Sequence, residues 1–150
     1  MIALSRAIPK LKVYLFGTSL RHVTKEVRAL DFGDTWRSFQ EPSTVWLSGT
    51  RIGWSLQEYL HTGGRKSLNR NTTVVIVSDG WDTGEIELLD RSMREIKRRS
   101  GLIIWLNALL ASPSYEPSCA GMRAALPHID HFAPCHNVEA LRVLVTELKK

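Results

Sequence analysis

The sequence predicts one α/β domain with three layers, in which helices cover both faces of a mainly parallel, Rossmann-like sheet. Two apolar runs, residues 73–77 and 102–106, lack polar alternation, which is typical of parallel strands covered on both faces. Helical periods of apolar residues lie between these runs, as in β-α-β units. The length of 150 residues suits a single domain, and we assign residues 1–150 to it.

The first half of the chain is predicted to contain one strand and two helices. Residues 11–16 are rich in residues that favour strands. A short helix is predicted over residues 36–40, and a second over residues 52–60, where apolar residues recur at helical spacing. Thr50 is the predicted N-cap of the second helix, and Gly63 with Gly64 is its predicted end.

The middle of the chain is predicted to form a β-α-β unit. Residues 73–77 and 102–106 are its strands, and apolar residues at steps of three and four predict a helix over residues 86–96. Either Asp82 or Thr83 can act as the N-cap of that helix.

The last part of the chain is predicted to contain two helices around a weaker strand. The helices span residues 120–125 and 138–148, the second with Asn137 as its N-cap, and the strand spans residues 128–132. The complete order is therefore β-α-α-β-α-β-α-β-α, which favours a mainly parallel sheet.

The composition excludes several classes of protein. With 43% apolar and 23% charged residues, the chain is neither disordered nor fibrous. We expect no membrane span, because no apolar run approaches the roughly 20 residues that one needs. Two cysteines do not form a disulfide framework, and no signal-peptide core is visible, so we expect a cytoplasmic protein with free thiols.

The net charge of +5 comes from 20 basic and 15 acidic side chains. One basic cluster, at residues 94–99, follows acidic residues at 85–90 on the same predicted helix, an order that the helix dipole favours. A surface for nucleic acid or for an acidic partner is the alternative. No aromatic residues interleave with the bases, so we expect no nucleic-acid partner.

Polar side chains follow several of the predicted strands. Thr18 follows the first, Asp79 and Asp82 the second, and Asn107 the third. The carboxyl ends of parallel strands meet at one edge of a sheet, where ligands bind. The loop before the helix at 52–60 should open on the same edge, bringing Thr50 there. Hydroxyl and carboxylate oxygens suit Mg²⁺ or Mn²⁺ better than zinc.

A purely structural interpretation of these residues stays open. Asp79 followed by Gly80 is a common turn, in which the aspartate accepts a backbone N–H bond and the glycine takes a positive φ. Thr50 can be a helix cap alone.

Longer stretches of the chain resemble the von Willebrand factor A domain of the CoxE-like group. The resemblance covers roughly residues 6 to 148. It is carried by stretches in the family's order, at residues 16–20, 48–53, 75–84, 104–107, 115–117, 121–127 and 136–137.

The resemblance implies a metal-ion-dependent adhesion site, in which a threonine loop, a Ser-Asp-Gly loop and an Asp-x-Ser-x-Ser loop hold a cation. Thr50 and Asp79 match the first two loops, with Ser48 in place of a glycine. No Asp-x-Ser-x-Ser pattern exists in the chain, so the first strand of the family's fold is lost or lies upstream of Met1. We therefore expect an incomplete site that binds Mg²⁺ or Mn²⁺ weakly or not at all.

The resemblance further implies a protein-binding adaptor that is not an enzyme. Its expected partners are a MoxR-type AAA+ ATPase and a metalloenzyme client, as in the maturation of carbon monoxide dehydrogenase. Thr18, Ser48, Trp81 and Asp82 are the expected partner-binding residues. The alternative is an α/β phosphotransferase or hydrolase that uses Asp79, with Asp82 as its second carboxylate.

The absent first strand leaves an open place in the predicted sheet. Either the strands at 11–16 and 73–77 pair directly, or another chain fills the place, as in a homo-oligomer.

Overall fold

A computed structural model describes residue 8 and residues 10–29 and 49–135 of the chain. The described strands are β1 (Tyr14–Phe16), β2 (Leu20–His22), β3 (Thr73–Val77), β4 (Leu102–Asn107) and β5 (His131–Pro134). The described helices are α1 (Thr24–Ala29), α2 (Ile52–Tyr59), α3 (Arg65–Ser67), α4 (Ile86–Arg99) and α5 (Ala120–Ala125). The helices predicted at 36–40 and 138–148, with the predicted cap Asn137, lie outside the described residues.

The strands β3, β4 and β5 form a parallel sheet in that order. Trp105 is the register partner of Ile76 on one side and of Phe132 on the other. The predicted α/β class with a mainly parallel sheet is confirmed.

The main core lies between one face of this sheet and the helices α2, α4 and α5. Ile103 and Trp105 of β4 point into it and are fully buried, and Leu89 and Met93 of the α4 stripe meet them. The apolar spacing along α4 places its buried side chains on the side facing the sheet.

The opposite face of the sheet is buried along β4 and exposed along β3. Ile104 and Leu106 are only 2% exposed. Their cross-strand partners Val75 and Val77 are 41% and 48% exposed, although the partners share the same face. Within the described part of the chain, β3 pairs only with β4.

The first predicted strand belongs to a separate hairpin. Strand β1 covers residues 14–16 rather than 11–16 and pairs antiparallel with β2, which was not predicted. Val23 and Val27, at the start of α1 and within it, cover the hairpin together with Val13. Direct pairing of β1 with β3 is therefore absent from the described residues, and the filling of that place by another chain stays a prediction.

The predicted helix ends differ from the observed ones. Arg51 and Glu85 occupy the N-cap positions of α2 and α4, and neither side chain makes a capping bond, so the assignments of Thr50, Asp82 and Thr83 as N-caps are wrong. After α2, the chain continues through a π-helical turn (Leu60–Gly64) into α3. Gly63 has a φ of 125° and interrupts the helical path, so the helix breaks at the predicted glycines and α3 begins after this break.

The second half of the chain also differs slightly from its prediction. Helix α4 ends at Arg99 and carries the basic residues 94–99 in its last turns, as predicted. The difference lies after this helix. The last described strand begins at His131, because Leu126–His128 form a 3₁₀ turn instead of extended chain.

The basic cluster on α4 is neutralised by neighbouring carboxylates. Lys97 pairs with Asp130, and Arg98 and Arg99 pair with Glu95. Glu95 lies one turn before its partners on the same helix, which is the spacing at which such pairs form. The cluster thus serves largely to stabilise the helix and its attachment to the strand that follows.

Asp130 joins the start of β5 to its neighbours. Its carboxylate accepts a hydrogen bond of 2.8 Å from the Ile103 N–H and pairs with Lys97. Partial burial acts to raise the pKa of Asp130, but the bonds from Lys97 and Ile103 outweigh it and hold the pKa below its ordinary value. The ionised form of Asp130 therefore stabilises the fold.

We predict that Asp130→Asn lowers the free energy of unfolding by about 1 kcal/mol at pH 7, because the ion pair and one charge-assisted bond are lost. The stabilisation is complete above the ordinary pKa of an aspartate and is lost as the pH falls through the lower folded-state pKa. The difference in the free energy of unfolding between the variant and the natural chain should thus shrink at acid pH. Urea unfolding at pH 7 and at acid pH measures both effects.

The variant Glu116→Gln is the matched control for this prediction, since the exposed carboxylate of Glu116 makes no hydrogen bond or ion pair within the described residues. It should leave the urea midpoint unchanged. A constant difference between Asp130→Asn and the natural chain at every pH would contradict the prediction.

Candidate functional site

Three loops converge next to the carboxyl end of β3. The Arg51 N–H donates to the Gly17 carbonyl at 2.9 Å, which joins the loop before α2 to the turn after β1. The Thr83 N–H and hydroxyl both donate to the Thr50 carbonyl, at 2.9 and 3.1 Å. The loop after β3 therefore contacts the loop before α2 through main-chain and side-chain bonds.

Asp82 is a helix cap that acts across the chain. Its carboxylate accepts bonds of 3.2 and 3.0 Å from the Ile52 and Gly53 N–H groups, the first two of α2. It also accepts a bond of 2.8 Å from the Gly84 N–H. The unpaired N–H groups and the dipole at a helix start favour a carboxylate there. The carboxylate predicted to bind a partner is thus bonded to the protein's own backbone.

Asp79 forms a turn at the tip of β3 and is exposed. Its Oδ1 accepts a bond of 3.0 Å from the Trp81 N–H, and Gly80 has a φ of 84°. Both features of the structural interpretation are therefore present. The second carboxylate oxygen makes no hydrogen bond within the described residues, and it faces solvent at the converged loops.

The other predicted site residues have separate surroundings. Thr50 and Thr18 are half-buried, and within the described segments neither hydroxyl makes a hydrogen bond. Trp81 is 65% exposed. Ser48 lies outside the described residues.

Helix α5 presses closely against the loop after β3. A Cβ atom added at Gly80 would lie 2.2 Å from the Met122 sulfur, and one added at Gly121 would lie 2.1 Å from the Gly80 carbonyl oxygen. These distances are far shorter than van der Waals contact, so both glycines are needed for this approach. The position of Asp79 is thereby fixed by main-chain packing.

A buried amide supports the same loop from below. The Asn107 Nδ2 donates to the Asp79 carbonyl at 3.2 Å and to the Tyr115 hydroxyl at 2.9 Å, and its Oδ1 accepts from the Leu109 N–H at 2.8 Å. Asn107 is fully buried. The sequence placed Asn107 at the end of a strand, near the candidate site. No local pattern predicted its contact with Tyr115.

A groove of about 630 Å³ lies beside this loop. Two of its apolar side chains are exposed, Trp81 by 65% and Leu109 by 41%. Its lining comprises Trp81, Leu109, Ser114, Tyr115, Glu116, Ser118 and Cys119.

The donors that the described residues place at the converged loops do not fit a resident Mg²⁺ ion. Mg²⁺ takes six oxygen ligands, and water must be displaced at a cost. Asp79 supplies one free carboxylate oxygen and Thr50 a hydroxyl, while both Asp82 oxygens accept backbone bonds. The described residues contain no group of three His, Cys, Asp or Glu side chains placed to hold a metal.

The parallel sheet and the loops converging beside it define a Rossmann-like α/β domain with its candidate site at a sheet edge. Residues 1–141 match the family described as "VWA domain containing CoxE-like protein". The chain belongs to this family, in which VWA stands for von Willebrand factor A.

Other comparisons add little. No curated protein matches the chain. A solved structure, described as "Crystal Structure of Uncharacterized Membrane Spanning Protein from Vibrio fischeri", is 15% identical, with a TM-score of 0.34. The match covers 98% of this chain and 80% of that one. In the described part of this chain, every helix is too short or too polar to cross a bilayer.

We predict that Asp82→Ala lowers the free energy of unfolding by about 1–3 kcal/mol, because three backbone N–H groups lose their acceptor at once. Asp79→Ala should lower the free energy of unfolding by less, since it removes one hydrogen bond from an exposed turn. Chemical unfolding of both variants measures the difference. Equal stability of the two variants would contradict this ranking.

Proposed function

We propose that this chain is a non-catalytic, protein-binding domain that works with a MoxR-type AAA+ ATPase in the maturation of a metalloenzyme such as carbon monoxide dehydrogenase. Membership of the CoxE-like family supports a role in protein interactions. We place this activity in the cytoplasm.

One observation carries the proposal for this site: Trp81 is 65% exposed beside the free oxygen of Asp79. Large exposed aromatic side chains contribute strongly to protein interfaces when a partner buries them. Trp81 lies at a turn that Gly80 and Asn107 hold in place, so little order has to be gained on binding. Thr18 and Thr50 extend the proposed contact surface around the converged loops.

The same geometry disfavours the enzyme alternative. A phosphotransferase or hydrolase at Asp79 would need a second free carboxylate for acid–base or metal chemistry. Asp82 was the candidate, and its oxygens accept three backbone bonds. We therefore assign the site to binding rather than to catalysis.

We predict that Trp81→Ala weakens binding of the MoxR-type ATPase encoded in the same genome by at least about tenfold, since a central aromatic contact is lost. Asp79→Ala should weaken it as well. Surface plasmon resonance with the immobilised chain and the purified ATPase measures both. The control Glu87→Ala changes an exposed carboxylate on α4 outside these loops and should bind normally. Undiminished binding by both site variants would contradict the proposed surface.

We predict that the chain alone binds Mg²⁺ with a dissociation constant no tighter than about 1 mM, because a single free carboxylate oxygen and two hydroxyls replace few of the ion's waters. Titration calorimetry with MgCl₂ and MnCl₂ measures this directly. A micromolar constant that Asp79→Ala abolishes would overturn the prediction and restore a complete metal site.

A further inference from the structure

The groove beside the loop after β3 exposes two apolar side chains that a folded chain ordinarily covers. Trp81 is 65% exposed and Leu109 is 41% exposed. The indole N–H of Trp81 makes no hydrogen bond within the described residues, whereas that of the buried Trp105 donates to the Ser78 carbonyl at 2.8 Å. Trp81 thus offers both an apolar ring and a free donor to a ligand.

The groove carries one formal charge, and it is negative. Glu116 is the only charged side chain among the described residues that line it. Its carboxylate has no hydrogen bond or ion pair within the described residues, unlike Asp90, Glu95 and Asp130, which are all paired. The chain as a whole has a net charge of +5, so this negative wall is opposite in sign to the molecule's overall charge.

The walls of the groove are held from beneath. Tyr115 donates its hydroxyl hydrogen bond to the Asp79 carbonyl at 3.3 Å, and Asn107 bonds both Tyr115 and the Leu109 N–H. The strand end, the turn with Trp81 and the segment with Glu116 are therefore linked through one buried amide. A preformed groove loses little conformational entropy when a ligand binds.

We infer that this groove binds an extended segment of a partner protein in which an arginine or lysine stands next to a bulky apolar residue. The cation stacks on the Trp81 ring and pairs with Glu116, and the apolar side chain covers Leu109. The inference deepens the proposed function, on which it rests, by stating the chemistry of the partner.

The negative charge of Glu116 determines that the groove prefers a basic segment to an acidic one. An acidic segment would place a carboxylate near Glu116 without a cation on the groove wall to offset the repulsion. At an exposed site, a cation–aromatic contact and an ion pair together change affinity by about tenfold.

The test is a titration of the full ¹⁵N-labelled chain, followed at the Trp81 indole N–H, which Trp81→Phe assigns. The probes are the capped peptides Ser-Leu-Arg-Ser and Ser-Leu-Glu-Ser. We expect the arginine peptide to bind about tenfold more tightly than the glutamate peptide. Glu116→Gln should reduce this ratio to about threefold or less, and Glu116→Lys should reverse it.

The matched control is Glu87→Lys, which makes the same charge change on α4, outside the groove. It should keep the natural preference. Equal binding of the two peptides by the natural chain, or an unchanged ratio in both Glu116 variants, would overturn the inference. Because Glu116 is exposed and unpaired, we expect both variants to fold, and circular dichroism checks this.

The two proposals fail separately. If the ATPase binds the natural chain and loses affinity with Trp81→Ala, while Glu116→Lys has no effect on either assay, the groove inference is wrong and the proposed function stands. If the peptide preference follows Glu116 as expected but the ATPase does not bind, the proposed function is wrong and the chemistry of the groove stands.

Discussion

The carboxylate of Asp82 is the interaction on which the candidate site depends. Helix α2 begins without a capping side chain of its own, and Asp82 supplies the acceptors from 30 residues away for Ile52 and from 29 for Gly53. This ties the start of α2 to the loop after β3. Since Arg51 also bonds Gly17, the same contact positions the turn of the β1–β2 hairpin. The Asp82 carboxylate, together with the Thr83–Thr50 and Arg51–Gly17 bonds, therefore joins segments that no strand pairing connects within the described residues.

A second constraint fixes what the site presents to solvent. Gly80 and Gly121 let the loop and helix α5 approach until only hydrogen atoms fit between them, and Asn107 holds the main chain of Asp79 from the interior. The backbone of this turn is thus packed from two sides, while the Trp81 side chain is 65% exposed. The result is a surface suited to recognition, in which the aromatic side chain is exposed while its support is buried.

The charged side chains fall into two groups, those paired within the fold and those left unpaired at the candidate site. The bases at the end of α4 pair with Glu95 and Asp130, which hold the helix to itself and to the start of β5. Glu116 has no such partner and lies in the groove. Most bases of the cluster seen in the sequence are thus paired with carboxylates within the fold. Glu116 in the groove and Asp79 at the tip of β3 are the carboxylates at the candidate site that form no ion pair within the described residues.

The sequence by itself determined the strands β3 and β4 and the helix α4 between them, because unbroken β-branched runs and helical periods are local signals. It also determined the family, through motifs that stand in the family's order. It also placed Asp79 and Trp81 directly after a parallel strand. Only the tertiary structure decided that β1 pairs in a hairpin, that Asp82 caps α2, and that Tyr115 and Glu116 border the site. Those outcomes depend on contacts between residues far apart in the chain, and hydrophobic spacing along a segment carries no information about which distant N–H group a carboxylate will meet.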